Sequence, residues 1–233
     1  MKKLTKTQKK INKIFDVKKK YSLNEASKIV KEISSFTSFN SSVEIVIRLG
    51  IDTRKTNQMI RGVVKLPHGT GKYIRVLVLV DNDKQLEAKE AKEAGADFIG
   101  FDEYITKIKE GWTEIDVIIT TPMMMPKLGS LGKILGPKRL MPNPKSGTVT
   151  PEIGKAVKEV KLGKIDFRVD RYGIVHAAIG KASFDAFQLK ENSIELINTL
   201  YHIKPSSVRG VYINSVFLSG TMSSGVKVDI NRI

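Results

Sequence analysis

The sequence predicts a mixed α/β protein in which one domain interrupts another. Both ends of the chain combine amphipathic helices with alternating strands, which is typical of an antiparallel sheet with helices on one face. The middle alternates fully apolar strands with helices, which is typical of a parallel sheet covered on both faces. A loop rich in proline and glycine, residues 121–148, follows the middle strands. These three observations favour an α+β domain formed by both termini and an α/β domain inserted into it.

The first third of the sequence predicts two helices and a strand. Apolar residues at helical spacing favour a helix over 5–15. Ser22 and Glu25 have the spacing of a capping box, which predicts that a second helix runs over 23–35. Residues 43–49 then alternate between apolar and polar faces, with Glu44 and Arg48 among the latter. This pattern predicts a half-buried strand.

The middle predicts a succession of buried strands and helices. Residues 74–80 are nearly all apolar, helix formers fill 84–94, and a short apolar patch covers 98–101. A small helix is expected over 103–110 and a second buried strand over 117–120. Residues 121–148 are expected to form a loop, and Pro151 to stand at the first position of a helix over 152–161.

The last third predicts a hairpin, a long helix and a final strand. Residues 165–169 and 174–179 flank the turn-forming sequence from Asp170 to Gly173, in which glycine permits positive φ. An amphipathic helix is expected over about 185–202, before Pro205, and an alternating strand over 211–219.

Composition restricts the class of protein. The chain has 233 residues, of which 40 are Lys or Arg and 24 are Asp or Glu, so its formal net charge is +16. Such an excess favours a polyanionic partner, and nucleic acid is the usual one. The sequence contains no cysteine, which excludes disulfides and thiolate chemistry. No apolar run has the length of a membrane-spanning helix, and the basic, polar start does not resemble a signal peptide.

The positive charge is unevenly distributed. Residues 1–20 hold nine lysines and one aspartate, and residues 120–150 hold five basic residues and no acidic one. Residues 81–116 are acidic, with eleven acidic and five basic residues. The lysine-rich start is either a solvated, frayed terminus or an electrostatic arm for RNA.

No motif in the sequence supports catalysis. Residues 69–72 read GTGK, but Leu66 and Tyr73 occupy the places where a phosphate-binding loop needs glycine and Ser or Thr. The three histidines stand far apart in the sequence, without metal-ligand spacing. We therefore expect neither an enzyme nor a bound cofactor or metal, and no small-molecule substrate.

Four segments resemble large-subunit ribosomal protein L1 of the bacterial type. These segments are LGIDTRKTNQMIRGVVKLPHGTG at 49–71, LGPKRLMPNPKSGTVT at 135–150, VHAAIGKASFD at 175–185 and SGTMSSGVKVD at 219–229. They occur in the family's order and span essentially the whole chain.

The resemblance implies a fold and a function. Domain I, residues 1–66 and 160–233, is expected to be a split ferredoxin-like sandwich and the principal RNA-binding domain. Domain II, residues 67–159, is expected to be an inserted Rossmann-like three-layer domain. The resemblance implies a cytoplasmic protein, monomeric when free, that binds rRNA at the mobile exit-site stalk of the large subunit. It also implies that the protein assists release of deacylated exit-site tRNA and represses its own operon mRNA.

The resemblance places the RNA contacts in three pieces of domain I. They are the loop after the second helix (Ser38, Phe39, Ser42), the hairpin (Arg168, Asp170, Tyr172) and the loop after the last long strand (Thr221, Met222, Ser223). Hydroxyls, stacking rings and backbone groups of this kind suit the recognition of structured RNA. Phe39 could instead pack in the core, and Thr221 and Met222 could form an ordinary turn.

Two positions depart from the family pattern. The family usually has lysine at position 38 and glycine at position 223; a serine at 223 would matter if the backbone there needs positive φ or a close approach to a ribose.

Two other functions remain as alternatives to an RNA-binding ribosomal protein. One is a nucleotide-dependent enzyme that uses the middle α/β domain, and the other is a free-standing translational repressor that never joins the ribosome.

Overall fold

A computed structural model of the chain describes residues 10, 11, 13–81 and 85–230. The chain divides into two compact units: residues up to Lys72 together with those from Ile165 onward, and Tyr73–Lys164. We call these the terminal unit and the inserted unit. The division falls a few residues after the expected domain boundaries at 66/67 and 159/160.

The helices and strands occur in the following order. They are α1 (Leu23–Ser34), β1 (Ser42–Leu49), β2 (Arg61–Lys65), β3 (Val76–Leu79), α2 (Gln85–Glu93), β4 (Phe98–Gly100), α3 (Asp102–Lys109), β5 (Val117–Thr120), α4 (Met125–Leu128), α5 (Gly132–Leu135), α6 (Ile153–Lys161), β6 (Lys164–Arg168), β7 (Ile174–Lys181), α7 (Ala186–His202), β8 (Ile213–Gly220) and β9 (Val226–Val228). The helix expected over 5–15 lies mostly outside the described residues; within it, residues 10, 11, 13 and 14 are helical. No helix in the described ranges is both long and apolar enough to cross a bilayer.

The terminal unit is built on a four-stranded sheet in the order β7-β1-β8-β9. β1 pairs antiparallel with both β7 and β8, and β8 pairs antiparallel with β9. α1 and α7 pack against one face, where their apolar side chains meet those of the strands, for example Val30 and Leu196 with Ile45 and Ile47. This is the α+β arrangement that the alternating strands predict, although the short strand β9 was not predicted.

The helices α1 and α7 have defined starts. The predicted capping box is confirmed: Ser22 Oγ accepts from the N–H of Glu25 at 3.3 Å, and the Glu25 carboxylate accepts from the N–H of Ser22 at 3.0 Å. α7 follows Asp185, whose carboxylate lies 2.8 Å from the ammonium of Lys31 in α1. The hydrogen bond and charge of Lys31 hold the pKa of Asp185 below its ordinary value.

The predicted hairpin is wrong as a pair of strands, although its turn is present. The N–H of Asp170 donates to the carbonyl of Ile174 at 2.9 Å, and Gly173 has φ 77°. The flanking strands then join different sheets, because β6 lies beside β2 whereas β7 pairs with β1. Hydrogen bonds to residues far away in the sequence thus decide which sheet each strand joins, although the local pattern predicted a hairpin. For example, the N–H of Val169 donates to the carbonyl of Ile60.

The inserted unit contains a parallel three-stranded sheet in the order β4-β3-β5. One face of this sheet packs against α2 and α6 through residues such as Val78, Ala91 and Val157. The other face packs against α3 and the segment after β5 through residues such as Leu79, Ile108 and Leu128. The sheet is therefore covered on both sides, which explains why its strands are apolar throughout.

The prediction that residues 121–148 form a loop is wrong for much of the segment. It contains α4, α5 and the 3-10 turns Pro122–Met124, Gly129–Leu131 and Pro144–Ser146. The cause is helical spacing: Met124, Leu128, Leu131 and Leu135 are three or four residues apart, and all are buried. Pro151 also precedes the N-cap residue Glu152, so it is not the first residue of α6 as expected.

The segment 66–71, LPHGTG, is attached to the terminal unit. The side-chain amide of Asn192 accepts from the N–H of His68 at 3.1 Å and donates to the carbonyl of Gly69 at 3.0 Å. The His68 ring lies 2.5 Å from the carboxylate of Glu191. Gly71 has φ 66°, and a Cβ there would lie 2.7 Å from the ring of Phe184. This segment is therefore a packed connection and not a phosphate loop.

Candidate nucleic-acid interface

The start of β1 and the turn after β8 lie next to each other at one end of the sheet. Ser42 is the first residue of β1, and its carbonyl accepts from the N–H of Thr221 at 3.0 Å and from Thr221 Oγ1 at 3.3 Å. The ammonium of Lys181, at the end of β7, donates to Ser42 Oγ at 2.9 Å. Sequence reasoning missed Lys181, because only the strand register places it opposite Ser42.

A tight turn follows β8 and presents Met222 to solvent. The N–H of Ser223 donates to the carbonyl of Gly220 at 3.0 Å, and Ser223 Oγ lies 2.9 Å from both the nitrogen and the oxygen of Gly220. Met222 has φ 63°, and 86% of its side chain is exposed. Positive φ falls on Met222 and not on Ser223. A serine at 223 is therefore compatible with the backbone of this turn.

Gly220 is surrounded by hydroxyl groups. A Cβ at this position would lie 2.6 Å from Ser34 Oγ, 3.1 Å from Ser223 Oγ and 3.5 Å from Ser41 Oγ. Ser34 and Ser41 are buried, and neither hydroxyl has a hydrogen-bond partner within the described residues. A larger residue at 220 would therefore clash with the buried hydroxyl of Ser34 and crowd the hydroxyl of Ser223, which closes the turn.

The loop after α1 lies beside this end of the sheet. Thr37 Oγ1 bonds to the carbonyls of Ser34 at 2.7 Å and Phe39 at 3.1 Å, which fixes the loop on the end of the helix. Ser38 is exposed, and Phe39 is 49% exposed and outside the buried core. The alternative of core packing for Phe39 is therefore excluded, and its ring is accessible for stacking.

The other three candidate residues lie around the turn between β6 and β7. Asp170 Oδ1 accepts from the N–H groups of Tyr172 and Ile174, both at 2.8 Å. This carboxylate therefore fixes the turn. Tyr172 is 72% exposed, and Arg168, at the end of β6, is also exposed.

The nine candidate residues do not form one cluster. β1 pairs Ser42 with Lys181 at one end and Arg48 with Ile174 at the other. The turn that contains Asp170 is therefore about 20 Å from Ser42, since a strand advances about 3.3 Å per residue.

The face of the sheet opposite the helices lies between these two ends. It presents, row by row, the side chains of Ala178, Glu44 and Ser219, then His176, Val46, Phe217 and Lys227, then Ile174, Arg48 and Ser215.

This arrangement suits an extended, structured polyanion better than a small molecule. Hydroxyls and an exposed methionine lie at one end of the face, and a tyrosine and an arginine at the other. Within the described residues, no group of three or more histidine or acidic side chains is placed to hold a metal ion.

The chain matches the family model described as the Ribosomal protein L1p/L10e family over residues 29–224. It is 60% identical to the large ribosomal subunit protein uL1 of Porphyromonas gingivalis over 229 residues, which is 98% of this chain and 97% of the relative. The uL1 proteins of Bacteroides thetaiotaomicron and Flavobacterium psychrophilum are 59% and 58% identical over the same length. Similarity therefore extends over both units.

Proposed function

The chain belongs to the Ribosomal protein L1p/L10e family, and from that premise we propose that it binds large-subunit rRNA at the mobile exit-site stalk. As a member of that family it is a structural protein of the large ribosomal subunit and not an enzyme, and it resides on the ribosome in the cytoplasm. This replaces the alternative of a nucleotide-dependent enzyme.

The observation that best supports stalk binding is the turn of Thr221, Met222 and Ser223. A large apolar side chain that is 86% exposed on a positive-φ backbone has no role in the core. Such strained positions persist where the surroundings fix them, and they cluster at functional sites. Here the hydrogen bonds of Ser42 and Gly220 fix the turn, so its backbone holds Met222 at a defined position in solvent.

The exposed sheet face supports an extended contact with RNA. In the proposal, Ser38, Phe39, Ser42 and the turn after β8 contact the stalk at one end of the face, and Arg168 and Tyr172 contact it at the other. Asp170 contributes to this contact by fixing the turn that presents Tyr172. Domain I in this proposal corresponds to the terminal unit, and domain II to the inserted unit.

Two finer functions follow from the family resemblance. The protein assists the movement and release of deacylated exit-site tRNA as the stalk moves, and it represses translation of its own operon mRNA through a hairpin that imitates the stalk. A free-standing repressor would bind the mRNA alone. Sedimentation of the native protein with large subunits separates the two possibilities.

The test compares two exposed methionines in the full chain. Met222→Ala should weaken binding to a stalk rRNA fragment about tenfold or more, because an exposed apolar side chain on a fixed turn would be buried against the RNA. Met123→Ala is the matched control, since Met123 is 70% exposed in the inserted unit and lies outside the proposed interface. Equal affinity of the two variants would contradict the proposed site, and failure of the wild-type chain to bind the fragment would contradict the proposed function.

A further inference from the structure

A second strained residue lies in the inserted unit. Among the described residues, Arg139 and Met222 are the two non-glycine residues with positive φ, at 58° and 63°. Arginine has no side-chain group that favours this conformation, in contrast to asparagine or aspartate, so its presence here needs a reason. Met222 belongs to the proposed RNA contact of the terminal unit, whereas Arg139 lies in the inserted unit, outside that contact.

Arg139 belongs to a short exposed turn with buried anchors on both sides. α5 ends at Leu135, and the N–H of Leu140 donates back to the carbonyl of Leu135 at 3.0 Å. Both leucines are buried, whereas residues 136–139 between them are all exposed. The N–H of Arg139 also donates to the carbonyl of Gly136 at 3.1 Å. We call residues 136–139 the basic turn; its backbone is fixed although its side chains are in solvent.

The segment that contains the basic turn is rich in positive charge. Residues 120–150 hold five basic residues and no acidic one. Lys138 Nζ donates to Thr113 Oγ1 at 2.5 Å, which holds this lysine along the turn. Lys127 lies 3.8 Å from the carboxylate of Asp81. In the described part of the chain, no ion pair involves Lys133, Arg139 or Lys145. Their charge is therefore available to an external anion.

We propose that the basic turn is a second RNA contact, at which Arg139 and Lys138 bind backbone phosphates of a structured RNA. The inference rests on the proposed function, because it assumes that the chain works on RNA. A planar guanidinium binds a phosphate through two parallel hydrogen bonds, and a rigid backbone lowers the entropy lost on binding. Phosphate contacts position a protein on RNA without reading its sequence, which suits a turn that lacks aromatic side chains.

The experiment exploits the strain at position 139. Arg139→Gly removes the charge and relieves the positive-φ backbone, so the variant should be at least as stable as the wild type, with an unfolding temperature raised by about 1–4 °C. The same variant should bind RNA about 3–10-fold more weakly, and the salt dependence of its affinity should lose about one unit of slope. A substitution that maintains stability and impairs binding identifies a functional residue and not a structural one.

Three comparisons complete the design. Arg139→Lys keeps the charge and should stay within about threefold of the wild type, because a lysine still neutralises a phosphate. Lys109→Ala removes one exposed positive charge of the acidic segment of the same unit and should leave binding unchanged. Met222→Ala reports on the proposed function independently. Affinities are measured with a stalk rRNA fragment and with a deacylated tRNA, to learn which of the two supplies the phosphate.

The outcomes separate the two proposals. A loss by Arg139→Gly with either RNA, together with full binding by Lys109→Ala, supports the inference and identifies its partner. Wild-type affinity of Arg139→Gly for both RNAs, with weakened binding by Met222→Ala, overturns the inference alone. An equal loss by Lys109→Ala also overturns it, because net charge would then explain the effect. Binding of neither RNA by the wild-type chain overturns both proposals.

Discussion

The hydroxyl oxygen of Ser223 lies 2.9 Å from both the backbone nitrogen and the backbone oxygen of Gly220. One side chain therefore closes the turn that presents Thr221 and Met222. Because the hydroxyl can accept from one group and donate to the other, it satisfies both at once. Ser223 thus fixes the turn through its side chain, whereas a glycine at this position would offer only backbone freedom.

Ser223→Ala should weaken binding to the stalk rRNA fragment about 3–10-fold. The reason is that the free turn loses two hydrogen bonds, each with a net contribution of about 0.5–1.5 kcal/mol, and must be ordered again on binding. Ser223→Thr keeps the hydroxyl and should restore most of the affinity. Ser206→Ala, at an exposed position outside the proposed interface, is the control. Affinity of Ser223→Ala equal to that of wild type would show that the hydroxyl does not hold the turn for RNA.

Thr221→Ala should cost about 1–3 kcal/mol of affinity for stalk rRNA, whereas Lys9→Ala should cost much less. Thr221 makes specific contacts in a fixed turn, whereas Lys9 is one of nine lysines in the first 20 residues and lies outside the described ranges. Affinities are measured at two salt concentrations, with circular dichroism to verify folding. Equal losses that shrink together at high salt would mean diffuse electrostatic binding.

The affinity for stalk rRNA should fall steeply with salt. A chain with net charge +16 displaces condensed cations from phosphates when it binds RNA. If about five phosphates are neutralised, log affinity against log salt should have a slope of magnitude about 3–5. The slope is measured by filter binding between low and physiological salt. A flat dependence would be incompatible with phosphate contacts.

A shortened chain that joins residues 1–72 to 165–233 through a short glycine-serine linker should fold and bind stalk rRNA within about tenfold of the full chain, or 1.4 kcal/mol. The reason is that the core of the terminal unit and all nine candidate residues lie within these ranges. A far larger loss by a folded shortened chain would show that the inserted unit supplies primary contacts.

A shortened chain that joins residues 1–66 to 160–233 should be less stable than the one that joins residues 1–72 to 165–233. It lacks the hydrogen bonds of Asn192 to His68 and Gly69, and it exposes Val160, which packs in the core of the inserted unit. Urea unfolding of the two shortened chains measures the difference. If the chain that joins 1–72 to 165–233 had the lower urea midpoint of unfolding, the unit boundaries at 72/73 and 164/165 would be contradicted.

The stability of the inserted unit should depend on pH through Asp97. Burial alone would raise the pKa of this carboxyl group, but hydrogen bonds from Lys161, Tyr73 and the N–H of Val76, with the charge of Lys161, lower it below 3.8. The folded state therefore favours the charged form. This contribution is fully present at pH well above 3.8 and is lost as pH falls through the lowered pKa.

Asp97→Asn should consequently lower the free energy of unfolding by about 1–2 kcal/mol at pH 7, and the difference from wild type should shrink at pH below 3.8. Urea unfolding followed by circular dichroism at several pH values measures it. Glu93→Gln, at an exposed position of α2, is the control. A difference that stays constant from pH 7 to pH 3 would contradict the proposed charge dependence.

Local sequence patterns determined most of the helices and strands of this chain. The capping box of Ser22 fixed the start of α1, and the alternation of Val43, Ile45 and Ile47 fixed which face of β1 is buried. The unbroken apolar run in β3 likewise indicated a strand covered on both sides. These properties depend on neighbours within one turn or one strand, so the order of residues is enough to predict them.

The tertiary structure alone decided which elements meet and where backbone strain falls. It joined β6 to β2 and not to β7, and it placed Ser42 and Asp170 at opposite ends of one sheet face. It also put positive φ on Met222 and Arg139, two residues that do not favour it. Pairing between distant segments and the hydrogen bonds that hold a strained turn depend on residues far apart in sequence. For that reason the sequence could only propose candidate residues for the interface, and the fold determined how these candidates are arranged.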